Sequence, residues 1–155
     1  MAPSAHVSTP ALTFLEDGTP VAQAFDDVYF SRHGGVAETQ HVFITGNRLE
    51  ERWSVGEAEP RSGRGQRSVG DKVPFNQIFT VAELGFGTGL NFCTTWQAFK
   101  QSGAGQLHYI AIEKFPLTPE QLQQTLSLQP ALAAEAAVLI AHYPARLPGW
   151  HRIHL

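Results

Sequence analysis

Between Glu83 and Asn91 the chain reads ELGFGTGLN, an acid followed by glycines at alternate positions, Gly85, Gly87 and Gly89. Glycine gives up more conformational freedom on folding than any other residue, so three within five positions mark a backbone that needs unusual dihedrals or a bare surface. They follow an apolar run ending at Leu84 and precede a helical pattern. A Gly-rich turn of this kind is where an open α/β sheet lets a nucleotide-type ligand approach the backbone and the start of a helix. A second acid, Glu113, closes another apolar run, Leu107 to Glu113. Nicotinamide-binding sheets use an acid at such a strand end, so Glu113 is compatible with a nucleoside-containing ligand without choosing among them.

Two phosphate-binding motifs fail at defined residues. A G-x-G-x-x-G fingerprint counted from Gly85 needs a glycine where Leu90 stands, and the Gly-Lys-Ser/Thr ending of a P-loop is absent. Metal chemistry is not indicated, because the seven histidines are scattered and Cys93 is the only cysteine. A lone cysteine fits a reducing compartment and reads, like Trp96, as a core residue. The opening MAPSAHVSTP has no signal-peptide pattern and no run of apolar residues is long enough to span a bilayer, so the expected location is the cytoplasm, with no membrane partner.

These groups must be positioned by a small fold. With 155 residues, 43% hydrophobic and 16% charged, the composition is that of one globular domain. The formal net charge of −3 supplies no overall pull on a polyanion, so contact with nucleic acid needs a local basic patch. RSGRGQR, Arg61 to Arg67, would suit phosphates, but Glu57, Glu59 and Asp71 nearly balance it and a solvated loop is the plainer reading.

Residues 1–12 are expected to be a disordered N-terminus. From Thr13 to Trp53 turn signals alternate with apolar stretches, and HVFIT, His41 to Thr45, reads as a strand, so 13–53 is expected to form an antiparallel β extension. Adjacent acids Asp26 and Asp27 suit a turn better than a carboxylate pair, since neighbouring strand residues point to opposite faces. Phe30 reads as core. Residues 54–74 hold almost no large apolar side chain and are expected to be a flexible loop.

Residues 75–155 alternate in type. QIFTVAEL reads as a strand, LNFCTTWQAFK as a helix with Phe92, Trp96 and Phe99 on one face, and Gly103 to Gly105 as its stop. LHYIAIE is a second strand, apolar enough to be parallel and covered by helices on both sides. Thr118, Pro119 and Gln121 make a capping box that starts a helix, with Leu117 placed to staple onto Leu122. Another helix begins near Pro130, with Leu132, Ala136, Leu139, Ile140 and Tyr143 in one stripe. WHRIHL at the end reads as the start of a further strand.

The acid-x-Gly-x-Gly-x-Gly of Glu83 to Gly89 resembles the first motif of class I S-adenosylmethionine-dependent methyltransferases. Longer strings narrow the likeness: Phe25 to Trp53, Glu83 to Phe92, and LHYIAIEKFPLTPEQL from Leu107 to Leu122 are similar to the methyltransferase part of the bacterial tRNA 5-methylaminomethyl-2-thiouridine biosynthesis bifunctional proteins. The resemblance covers the chain from about Thr13 onward. It implies an α/β, Rossmann-like class I methyltransferase fold, here truncated at its carboxyl end, behind the N-terminal antiparallel β extension. It implies S-adenosylmethionine as cofactor, held by Glu83, Gly85, Phe86, Gly87, Thr88, Gly89 and Asn91 together with Glu113 and Lys114. Tyr29 is a candidate substrate or cofactor contact. The reaction implied is methylation of the aminomethyl nitrogen of a modified wobble uridine, with tRNA as substrate. The family's adenine-side acid and its aspartate at the substrate amine are expected downstream of Leu155, so the catalytic residue is left unassigned here, and the flavin-dependent oxidoreductase domain that often follows in the family is expected downstream as well. Two other readings stand beside it: a nicotinamide-dependent oxidoreductase, against which Leu90 argues, and a non-catalytic cofactor-binding fragment.

Overall fold

A computed structural model of the chain describes residues 7–23, 25, 27–31, 34–53, 78–103 and 105–155. The expected flexible loop at 54–74, with its arginines, and Asp26 lie outside the described residues.

The turn at Asp17 to Pro20 forms as its residues require: Gly18 takes a positive φ of 83°, and the Thr19 backbone N–H donates to the Asp17 carboxylate at 2.8 Å. It joins β1 (Leu12–Phe14) to β2 (Pro20–Ala22), which pair antiparallel with Thr13 opposite Val21. β3 (Asp27–Val28) adds to the other side of β2. The antiparallel extension is therefore real but ends at Val28.

His41 to Thr45 is not a strand. Helix α1 (Gly35–Glu38) runs directly into a π-helix, Thr39–Thr45, whose i−5 bonding is visible where the Gly46 N–H donates to the His41 carbonyl at 3.0 Å. In a strand Val42 and Ile44 would share a face. Here Val42 is 63% exposed and Ile44 2% exposed, so burial follows a helical period and packing against the core has overridden β-branched propensity. Helix α2 (Leu49–Trp53) follows and delivers Trp53 edge-on to Phe79 and Phe99, at 5.6 and 5.4 Å between ring centroids.

The second half is a βαβ unit. β4 (Ile78–Leu84) and β5 (Gln106–Ile112) pair in parallel, with Glu83 opposite Ala111. Helix α3 (Leu90–Ser102) crosses between them, bounded by left-handed glycines at both ends, Gly89 at φ 73° and Gly103 at φ 66°. Burial alternates along β4: Phe79, Val81 and Glu83 face the core, while Ile78 and Leu84 are exposed. Helices on both sides of the sheet were expected. Among the described residues only one face is covered, and Leu84 and Ile112 stand open on the other.

Helix α4 (Pro119–Leu126) starts with both halves of the capping box: Gln121 N–H donates to Thr118 Oγ1 and Thr118 N–H to Gln121 Oε1. Leu117 and Leu122 are both fully buried beside it. A 3₁₀ turn, Pro130–Leu132, leads into α5 (Ala133–Ala141), and Leu132 of the turn with Ala136 and Leu139 of α5 packs with Leu90, Phe92 and Cys93 of α3 in one core cluster. The final WHRIHL forms no strand: residues 150–155 have no regular structure, since a strand exists only where another supplies its ladder.

Candidate functional site

The glycine loop between β4 and α3 turns because all three glycines take positive φ: 87° at Gly85, 53° at Gly87 and 73° at Gly89. Their surroundings differ. A Cβ on Gly85 would meet nothing, one on Gly87 would come within 3.4 Å of the Tyr29 ring, and one on Gly89 would strike Leu139 and Phe86 at 2.9 Å. Gly89 is thus demanded by core packing, whereas Gly85 and Gly87 leave backbone bare.

That bare backbone faces Glu113, the first residue beyond β5. Its carboxylate accepts the Gly87 N–H at 2.8 Å and the Phe115 N–H at 2.7 Å, one on each oxygen. Each oxygen keeps further acceptor capacity. A cavity of about 230 Å³ opens here, floored by Gly85, Gly87 and Glu113 and walled by Val28, Tyr29 and Phe25, whose ring lies 5.2 Å from that of Phe115. The N-terminal sheet thus supplies a wall. The volume is below that of a typical whole-cofactor pocket, so the cavity suits part of such a ligand. Tyr29 is half-buried and its hydroxyl is held above its ordinary pKa, first by burial and then by the Glu113 charge, so it faces the cavity as a neutral phenol.

Other expected site residues lie outside this cavity, Phe86 and Lys114 lining with Glu113 a second one of about 1110 Å³. The Glu83 side chain is buried away from the cavity, with a partner on each oxygen: Oε1 accepts from Asn91 Nδ2 at 2.7 Å and Oε2 from the Tyr109 hydroxyl at 2.8 Å. Burial pushes its carboxyl above the usual range, the two hydrogen bonds pull it back, and the Glu113 charge adds a smaller upward push. Asn91 is engaged at its other end too, where Thr39 Oγ1 donates to Oδ1 at 2.9 Å. Phe86 packs near Phe92 and Tyr143, and Thr88 is buried beneath the loop. Lys114 is exposed, its ammonium 4.9 Å from the Phe115 ring centroid. Cys93 is a core residue as expected, fully buried with its thiol pushed up to about 12 chiefly by burial, whereas Trp96 is half-buried, packed against that core and stacked on Phe92 at 5.7 Å. Phe30 is core as well.

The structure therefore joins Gly85, Gly87, Glu113 and Tyr29 around one cavity and turns Glu83 and Asn91 away from it. It also adds Phe25 and Phe115 to the cavity, and Tyr109 and Thr39 to the buried polar group. The alternation of IFTVAEL carried a signal for the latter, since it places Glu83 on the same inward face as Phe79 and Val81. Among the described residues no group of His, Cys, Asp or Glu could hold a metal ion.

No family model matches the chain. Curated relatives do. The chain is 46% identical over 142 residues to the tRNA 5-methylaminomethyl-2-thiouridine biosynthesis bifunctional protein MnmC of Chromobacterium violaceum, an alignment covering 90% of this chain and 19% of that protein. Proteins with the same name from Idiomarina loihiensis and Marinomonas sp. are 40% identical over 150 residues and 39% over 157, covering 96% and 100% of this chain. The chain spans about a fifth of the length of these relatives.

Proposed function

From the premise that the chain belongs, as a segment, to the tRNA 5-methylaminomethyl-2-thiouridine biosynthesis bifunctional protein family, we propose that it is the cofactor-holding part of a tRNA methyltransferase. In this reading the whole protein works in the cytoplasm on the modified wobble uridine of tRNA, methylating its aminomethyl nitrogen, and carries a flavin-dependent oxidoreductase domain as its second function. S-adenosylmethionine, when bound, supplies a methyl group on a sulfonium, open to in-line displacement by a neutral amine.

The observation that carries the reading is the pairing of bare backbone at Gly85 with the Glu113 carboxylate across one cavity. Glu113 is fixed by two backbone donors and still has lone pairs for two ribose hydroxyls. Phe25, Phe115 and Tyr29 line one side of the cavity with aromatic surface. No described side chain is assigned to the amine.

The test compares S-adenosylhomocysteine with NADH in thermal unfolding of the purified chain. At a hundredfold excess over Kd a ligand adds about 2.7 kcal/mol to stability. A rise in Tm with S-adenosylhomocysteine and none with NADH is expected. A rise with NADH alone would replace the methyltransferase by a nicotinamide enzyme.

A further inference from the structure

Four side chains from four elements meet where the glycine loop begins and ends. Glu83 is the penultimate residue of β4 and Asn91 the second of α3, so their 2.7 Å hydrogen bond ties the loop's entrance to its exit. Tyr109 of β5 and Thr39 of the π-helix each donate into this pair, at 2.8 and 2.9 Å. We propose that Glu83, Asn91, Tyr109 and Thr39 are positioning residues, a buried clasp that holds the glycine loop in its ligand-ready shape while none of the four touches the ligand. The identity of the ligand rests on the cofactor reading above; the clasp itself does not.

The argument is one of donor direction. With its Nδ2 donating to Glu83, the Asn91 amide presents only its oxygen to Thr39, whose hydroxyl must then donate. An ionised Glu83 accepts from both Asn91 and Tyr109, and every polar atom named has a partner. A proton on Oε1 would confront the Asn91 donor, so protonation opens the ring that closes the loop. Tyr109 and Glu113 are the titratable groups that bear on Glu83, and Cys93 from α3 bears in turn on Tyr109. Held closed, the loop presents the Gly87 N–H to Glu113 at 2.8 Å. This explains a buried acid that the cavity does not use.

The test uses the full chain with Thr39→Val, Thr39→Ser and Tyr109→Phe. Amide hydrogen exchange at Gly87 is read without ligand, and affinity for S-adenosylhomocysteine is read by calorimetry from pH 5 to 8. In Thr39→Val and Tyr109→Phe the Gly87 exchange should quicken about tenfold, as loss of a hydrogen bond to a buried polar group implies, and Thr39→Ser should return it to the parent rate. Affinity should fall with pH, and its midpoint should move upward in Tyr109→Phe, because a donor that favours ionised Glu83 is gone. Parent-like Gly87 exchange in both Thr39→Val and Tyr109→Phe overturns the clasp, as does an unmoved midpoint in Tyr109→Phe. If the parent chain binds no S-adenosylhomocysteine, exchange alone decides: quickened exchange keeps the clasp and removes the cofactor reading.

Discussion

The two acids of the site do opposite work with the same chemical group. Glu113 stands at the cavity with lone pairs to spare, so Glu113→Ala should weaken S-adenosylhomocysteine binding about tenfold or more, since hydrogen bonds to a charged group are worth roughly 1.5 to 3 kcal/mol. Unchanged affinity in calorimetry would remove Glu113 from the site. Gly87→Val should hurt binding more than melting, because a β-branched side chain resists φ 53° and crowds Tyr29 at the cavity wall. Normal binding at an unchanged Tm would reduce the loop to a plain turn. Glu83 supplies a pH prediction of a different sign. Its folded pKa is raised chiefly by burial, so its contribution to stability is fully present below the unfolded carboxyl value and is lost as pH rises through the folded one. Glu83→Gln should therefore flatten that part of the stability profile, measured by chemical unfolding between pH 4 and 7. Glycine spacing and the position of Glu113 made the cavity floor legible in the sequence. The division of labour between the acids was not, because a motif records which residues stand together and not which way a carboxylate points.

Among the elements, those with local stop and start chemistry were the readable ones. The capping box of α4 and the Gly103 end of α3 depend on residues adjacent in sequence, and both form as their residue types require. Thr118→Ala should cost about 1 kcal/mol, seen as a lowered denaturation midpoint with an unchanged slope. No loss would mean that burial of Leu117 and Leu122 alone fixes that helix start. The π-helix was illegible for the complementary reason. HVFIT has the β-branched content of a strand, and only contacts with α3 and the Trp53 cluster decide which of its residues are buried. WHRIHL shows the same dependence from the other side: strand propensity without a neighbouring strand leaves irregular backbone.

At the scale of the molecule, the parallel sheet has two strands and one covered face among the described residues. Leu84 is 87% exposed and Ile112 60% exposed, and β4 bears no outward charge to discourage another strand. The chain should associate with rising concentration in sedimentation velocity, and Leu84→Lys should reduce that association; a monomer at all concentrations would show the face to be benign. By the family reading, the chain alone should not methylate tRNA bearing the aminomethyl precursor, and methyl incorporation from radiolabelled S-adenosylmethionine would place a catalytic group within these residues. The cavity also has a history written into chain order. Its wall comes from Ala22 to Tyr29, its floor from Gly85 onward, and Thr39 reaches Asn91 across 52 positions. During synthesis from the amino end, the three-stranded sheet can form as soon as Val28 has emerged, while the loop closes only after Asn91, Tyr109 and Glu113 have followed. A nascent chain therefore carries half a binding site from the emergence of Val28 until Glu113 has followed, and a deletion that runs through Thr39 should take away the wall of the cavity and the outer donor of the loop together.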